Sequence, residues 1–230
     1  SLTAPDNFYS ATGLDPLTEY DFYIKSICTS GDTSANDGPY TFETGCGSFA
    51  PIPYTEDFIS YVPECWEEAT GRLTTSSTLN FGSSDWTNDG FANNGTTGAA
   101  RMEIWTASKD EWLISPSFNL GSGSSSLIVE FDVALTVWNT TVGDTLQADD
   151  TLALVISTDN GQTWSTSNIL NAWVDGNEPS ASGDHVVYSL AGYTGGVRLG
   201  FYAASSVTGE DVNVYIDNFV VRDTNAVSSI

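Results

Sequence analysis

The stretch Val212–Arg222, VNVYIDNFVVR, decides how the chain is read. Val212, Val214 and Ile216 fall on one face, and Tyr215, Asp217, Phe219 and Val221 on the other. That period of two is the mark of a β-strand. The strand reads as the last of the main domain. Asp217 and Asn218 interrupt it near the middle. A carboxylate in an apolar strand is costly unless something pairs with it. The chain carries only six Lys and Arg against thirty Asp and Glu, so a bound cation is a natural candidate partner.

Working outward, Leu127–Val137 alternates most cleanly. Leu127, Val129, Phe131, Val133, Leu135 and Val137 share one face, as in a half-buried antiparallel strand. Leu152–Thr158 reads as a core strand. Asp159-Asn160-Gly161 makes a tight turn, because Asn and Gly tolerate positive φ. Trp164 is expected to open the return strand. Ala99–Trp105, Glu111–Phe118, Asp184–Leu190 and Val197–Ala203 are further strands. Residues 71–98 are rich in Thr, Ser, Asn and Gly and read as short strands and long surface loops. No stretch has sustained helical periodicity. The pattern predicts an all-β chain with about nine or ten strands over residues 53–222. An eight-stranded jelly-roll β-sandwich with additional strands fits better than an up-and-down barrel.

With 230 residues, 40% of them hydrophobic, the chain can bury one large sandwich, or one domain plus a smaller module. No apolar run reaches membrane-spanning length, so membrane insertion is not expected. A net charge of −24 makes nucleic acid and anionic membranes poor partners. The acidic residues solubilise a secreted surface, hold divalent cations, or do both. There are three cysteines. Cys46 and Cys65 flank a loop and the first strand of the main domain, and join if those ends meet. Cys28 is then left over; a Cys28–Cys46 bridge is the alternative. The low basic content and abundant turns favour a secreted or cell-surface location. No signal peptide is present, so the chain is expected to be a mature or excised piece.

Residues 1–45 hold three strand-like pieces, Asn7–Gly13, Glu19–Cys28 and Pro39–Thr44. Three strands expose an apolar face and are marginal alone. Gly45–Pro53 is a Gly- and Pro-rich linker. The expected organisation is a small β module over 1–45, the sandwich over 46–223, and an exit linker over 224–230. The linker GLDPLTEY, Gly13–Tyr20, resembles the turn before the penultimate strand of fibronectin type III domains, where a tyrosine corner follows. It implies that 1–45 is part of such a module.

Four further stretches carry a resemblance. They are Tyr54–Phe58 with Cys65-Trp66, then Asp110–Pro116 (DEWLISP), Ser157–Trp164 (STDNGQTW) and Tyr215–Phe219 (YIDNF). In that order and spacing they look like the cleaved-adhesin and MAM-like jelly rolls of Bacteroidetes surface proteins, a galactose-binding-like sandwich. The resemblance implies a non-catalytic adhesion module, often exported by type IX secretion. It also implies a structural calcium ion, with Glu56, Asp57, Asp150, Asp217 and Asn218 as ligands. Calcium takes six to eight oxygens. If the first and last strands lie side by side, Glu56 or Asp57 comes near Asp217, and Asp149-Asp150 can close the shell. Solvated edge carboxylates would show the same sequence.

Seven tryptophans are many for this length. Trp66, Trp112 and Trp164 read as core. Trp86, Trp105, Trp138 and Trp173 lie in or near loops. Aromatic rings beside Asn and Asp suit a glycan, so Trp86 with Asp89 and Asn93, or Trp138, are candidate ligand contacts. A protein surface and the other domains of a parent chain are the other expected partners. A carbohydrate-binding module serving an enzyme, and a stalk repeat of a large adhesin, are the alternatives. Ser157–Trp164 also matches the sialidase Asp-box, and its single occurrence favours a structural hairpin. His185 is the only histidine, which excludes a multi-His metal centre. No nucleophile motif such as G-x-S-x-G is present.

Overall fold

A computed structural model describes residues 9–27, 31–207, 209 and 211–225. Cys28, the start of the first expected strand and residues 226–230 of the exit linker lie outside them. The chain divides into two compact units, Ser1–Ser48 and Phe49–Ile230.

In the smaller unit, β1 (Glu19–Ile24) pairs antiparallel with β2 (Asp37–Glu43). Tyr20 stands opposite Phe42 and Phe22 opposite Tyr40. The Tyr20 hydroxyl accepts a hydrogen bond from the Asp15 amide at 2.9 Å. That bond fastens the GLDPLTEY turn to its own tyrosine. Residues 9–13 form no strand.

The larger unit is an all-β jelly-roll sandwich. Its strands are β3 (Tyr54–Glu56), β4 (Glu67–Thr70), β5 (Asn80–Phe81), β6 (Trp86–Asp89), β7 (Ala99–Ile104), β8 (Lys109–Ile114), β9 (Phe118–Asn119), β10 (Leu127–Val137), β11 (Thr151–Ser157), β12 (Ile169–Trp173), β13 (Asp184–Ser189), β14 (Gly196–Ser205) and β15 (Val212–Asp223). One sheet runs β13-β10-β15-β7-β6, with β3 also on β15. The other runs β12-β11-β14-β8-β4-β5, with β9 also on β14. Every strand pair is antiparallel. The core lies between the sheets. Phe131 meets Phe201 edge-on at 4.9 Å, and Trp66 meets Phe219 at 5.1 Å. Fully burying such a side chain stabilises by about 1.5–3 kcal/mol.

The closing strand departs from its expected alternation. On β10 and β15, Asp132 pairs with Asp217 but Glu130 pairs with Val220. β15 therefore carries one extra residue, a β-bulge. Asn218 adopts φ 50°, the left-handed region that Asn tolerates better than most side chains. The extra residue resets the parity. Val212, Val214 and Ile216 share the core with Phe219 and Val221. The expectation that Phe219 and Val221 face with Tyr215 and Asp217 is corrected by that bulge. Tyr215 is buried on the outer side, against Ala92, Ala99 and Ala134.

Two other placements differ from the sequence reading. Trp86 opens β6 inside the core, and Trp173 ends β12 there. The return strand starts at Ile169 rather than Trp164. Trp164 instead bridges to Ser77 and packs on Trp112 with centroids 5.0 Å apart. The Asp159 turn forms as expected, with Asn160 at φ 63° and Gly161 at φ 86°. Asp159 accepts from the Thr163 amide at 2.9 Å and from the Ser157 hydroxyl at 2.7 Å.

Deleting Asn218 removes the bulge and turns Phe219 and Val221 outward. Cooperative urea unfolding should then be lost, whereas Asn218→Gly, which keeps the backbone conformation, should unfold cooperatively. Phe219→Ala should cost about 3–5 kcal/mol in the same titration, the range for a large buried aromatic.

Candidate functional site

The first strand of the larger unit lies on the last. β3 pairs with β15 so that Glu56 faces Phe219 and Thr55 faces Val220. A depression of about 300 Å³ opens there, lined by Thr55, Glu56, Asp57, Asn218, Phe219 and Val220. Glu56 accepts from the Phe58 amide at 2.9 Å, and Asp57 from the Ile59 amide at 3.2 Å. These short-range bonds fold the chain after β3 back on itself, with Phe58 at φ 51°. Asp217 accepts from the Asn218 amide at 2.5 Å.

Asp217, just before the bulge, continues the alternation of Val212–Ile216 onto the outer face, next to Asp132 of β10. The Asn218 side-chain amide donates to one oxygen of Asp132 at 2.8 Å. His185 Nδ1 lies 2.7 Å from the other. His185 Nε2 stands 3.8 Å from Glu130, whose carboxylate takes two bonds from Arg222, at 2.6 and 3.0 Å. The Arg222 bonds hold the Glu130 carboxyl below its ordinary range.

Asp217 behaves oppositely. Burial, and then the carboxylates of Asp132 and Asp57, push it from an ordinary 3.8 up to about 6, against the bond from the Asn218 amide. Glu56 is pushed up as well, by burial first and with Asp57 adding to it, while the Phe58 amide opposes. Among the described residues, no Lys, Arg or His forms an ion pair with Glu56, Asp57 or Asp217. Glu56, Asp57, Asp217 and Asn218 all offer side-chain oxygens, the donor type that suits calcium. No three His, Cys, Asp or Glu side chains among the described residues are grouped to hold a metal by themselves. The rest of a coordination shell has to come from Asn218, backbone carbonyls and water.

Asp150 does not join this group. Its carboxylate accepts from the Gln147 amide at 3.1 Å and bonds the Ser205 side chain, and burial raises it. Asp149 caps the Ser206 and Val207 amides at 2.9 and 2.7 Å. Both residues precede β11, in the sheet that does not contain β15, and they tie that loop to the end of β14. Cys46 and Cys65 are each disulfide-bonded.

The aromatic candidates separate sharply. Trp86 is buried beside Phe201 and presents no face to a ligand. Asp89 sits 3.5 Å from Arg101 and caps the Gly90 amide. Asn93 lies in a 3-10 turn, Phe91–Asn93, whose Phe91 packs on Tyr215. Trp138 is exposed, and so is Trp105, both at 47%. The sequence offered no signal that distinguishes these two from Trp86 and Trp173.

No family model matches this chain, and no curated protein matches it. Solved structures similar to it include adhesin domains and carbohydrate-binding modules. The K1 cleaved adhesin domain of Lys-gingipain from Porphyromonas gingivalis is 16% identical, with 76% of this chain and 99% of that one covered, at a TM-score of 0.48. The N-terminal cellulose-binding domain of β-1,4-glucanase C from Cellulomonas fimi is 9% identical, with 76% and 97% covered, at 0.41. TmCBM61, solved in complex with β-1,4-galactotriose, is 13% identical, with 72% and 91% covered, at 0.40. Likenesses of this strength lend no ligand and no residue role to the present chain.

Proposed function

We propose that the larger unit is a non-catalytic binding module of a secreted or cell-surface protein, with a structural calcium ion tying β3 to β15. Glu56, Asp57, Asp217 and Asn218 would hold the ion. Its chemistry there is to neutralise carboxylates that, among the described residues, no Lys, Arg or His pairs with. One observation carries this reading: Asp217 is half-buried beside two other carboxylates and is pushed to about 6 by them and by burial. Such a site favours either a proton or a metal. A glycan or a protein surface is the ligand class, and other domains of the parent chain are the remaining partners. The Tyr20–Asp15 bond supports reading residues 1–45 as part of a fibronectin type III-like module.

A carboxylic acid near pH 6 beside a second carboxylate is also what glycosidases present. Asp132 is badly placed for that work. Asn218 occupies one of its oxygens and His185 the other. Both oxygens thus already carry a structural bond, which lowers their basicity.

Calcium at about a hundredfold its dissociation constant should add about 2.7 kcal/mol of stability. For a unit of this size that raises the melting temperature by roughly 5–10 °C. The response should vanish in Asp57→Asn and Asp217→Asn and persist in Asp150→Asn. An unchanged melt, with no metal found by elemental analysis, would overturn the reading.

In chelator the proton takes the ion's place. The folded chain holds the Asp217 proton more tightly than the unfolded chain does. This group therefore supports the fold fully below about 4 and loses that support as pH rises through about 6. Asp217→Asn should match the wild type near pH 4 and exceed it in thermal stability at pH 7 and above, both in chelator.

A further inference from the structure

Five of the seven tryptophans are buried: Trp66, Trp86, Trp112, Trp164 and Trp173. The two that are not, Trp105 and Trp138, occupy related places. Trp105 follows Ile104, the last residue of β7, and Trp138 follows Val137, the last residue of β10. Ile104 and Val137 both pair with Val212, the first residue of β15, from opposite sides. The two tryptophans therefore flank the entry to the central strand. Their backbones stand two strand spacings apart, about 10 Å. The Trp138 amide donates to the Asp211 carbonyl at 2.8 Å, which fixes the turn relative to β15.

Between them sits Asp211, with a side-chain oxygen, Oδ1, that is buried and has no hydrogen-bond partner. Leaving such an atom unmet is costly, and more so for a charged group. On the outer face beside Trp105, Glu103 and Arg101 follow on β7, and Arg101 donates to Asn213 of β15 at 3.1 Å. The Arg101 Nε is turned to Asp89, 3.5 Å away. Two exposed tryptophans with an unmet acceptor between them make a mostly apolar site with a few polar groups, the usual make-up of a small-ligand site.

We infer that Trp105 and Trp138 form a binding platform for an uncharged polysaccharide. The aromatic faces stack on the apolar faces of two sugar rings of one chain. The Asp211 carboxylate accepts from a sugar hydroxyl between them. Charge selects the class. Asp211 and Glu103 lie within the platform and the whole chain carries −24, so an anionic polymer is repelled. A protein partner would need a continuous apolar patch, and these two rings are separated by the width of β15. The inference rests on the reading of this unit as a binding module and is independent of calcium. Asp217 lies five residues further along β15, roughly 17 Å from its first residue.

Native gels cast with a neutral β-glucan, a xylan or a galactan, and with polygalacturonate as the charged control, test this. At least one neutral polymer should retard the wild-type chain, and polygalacturonate should not. Trp105→Ala and Trp138→Ala should each weaken retardation at least about tenfold, the loss expected for truncating an aromatic anchor. The double variant should run as in a plain gel, and Trp105→Phe should keep most of the effect. Without any variant, the bound polymer should shield the exposed tryptophans of the wild type from acrylamide quenching. No retardation by any neutral polymer, or retardation that survives in the double variant, would overturn the inference. A tryptophan-dependent shift in calcium supports the platform whether or not the melt responds to calcium. A melt that ignores calcium removes the metal alone.

Discussion

The larger unit depends on one residue of backbone at Asn218. β15 is the strand on which both β10 and the β7/β3 edge are built, and Asn218 is its bulge. A non-glycine residue in the left-handed region costs about 1–3 kcal/mol. Burial of Phe219 and Val221 beyond it returns about 1.5–3 kcal/mol each. The same bulge ends the pairing with β7 at Ile216 and leaves the remaining edge for β3 at Phe219. Core parity beyond Asp217 and closure by the first strand thus share one cause.

The other sheet explains why the chemistry sits where it does. Its outer face is covered by a second apolar cluster of Ala69, Trp112, Ile114, Ala153, Val155, Trp164 and Tyr202. Leu73, Leu79 and Ile169 pack on that cluster. Gly200 lies directly under it. A Cβ there would stand 2.8 Å from the Trp164 ring and 3.0 Å from Trp112, too close for any side chain. The Asp159 hairpin delivers Trp164 to this face, which is the structural role its single Asp-box suggested. With that face sealed, the outer face of the β15 sheet is left to carry Asp132, Asp217, His185 and the two exposed tryptophans.

Much of this was legible in the sequence. The alternation of Leu127–Val137 placed β10 correctly, because a period of two on a half-buried strand is a direct image of its surroundings. The interruption at Asp217-Asn218 was visible too, although not its consequence. Alternation counts residues and cannot see one that lies outside the ladder. Strands β5 and β9, two residues each, are too short to leave a pattern. Trp86 read as a loop residue because its neighbours Ser84, Asp85, Thr87 and Asn88 are polar, yet it is the inward member of its strand. Asp150 was assigned to the metal by family position. The sheet it borders is a property of topology, which a single sequence does not encode locally.

The scarcity of cations makes the acidic cluster more than a surface detail. Arg101, Lys109, Arg198 and Arg222 are each committed to a carboxylate, respectively Asp89, Asp85, Glu67 and Glu130. Among the described residues, neither these nor Lys25 and Arg72 form an ion pair with Asp57 or Asp217. Repulsion within a half-buried group of carboxylates then has two remedies, a proton or an ion from outside the chain. Near neutral pH a site at about 6 holds a proton only part of the time. An oxygen-seeking ion would answer the same charge without that limit, and it would bridge β3 and β15, the two strands that close the fold. On the proposed reading the cluster is a fastening rather than a catalytic pair, and the inferred ligand surface lies at the other end of β15, beside the two exposed tryptophans.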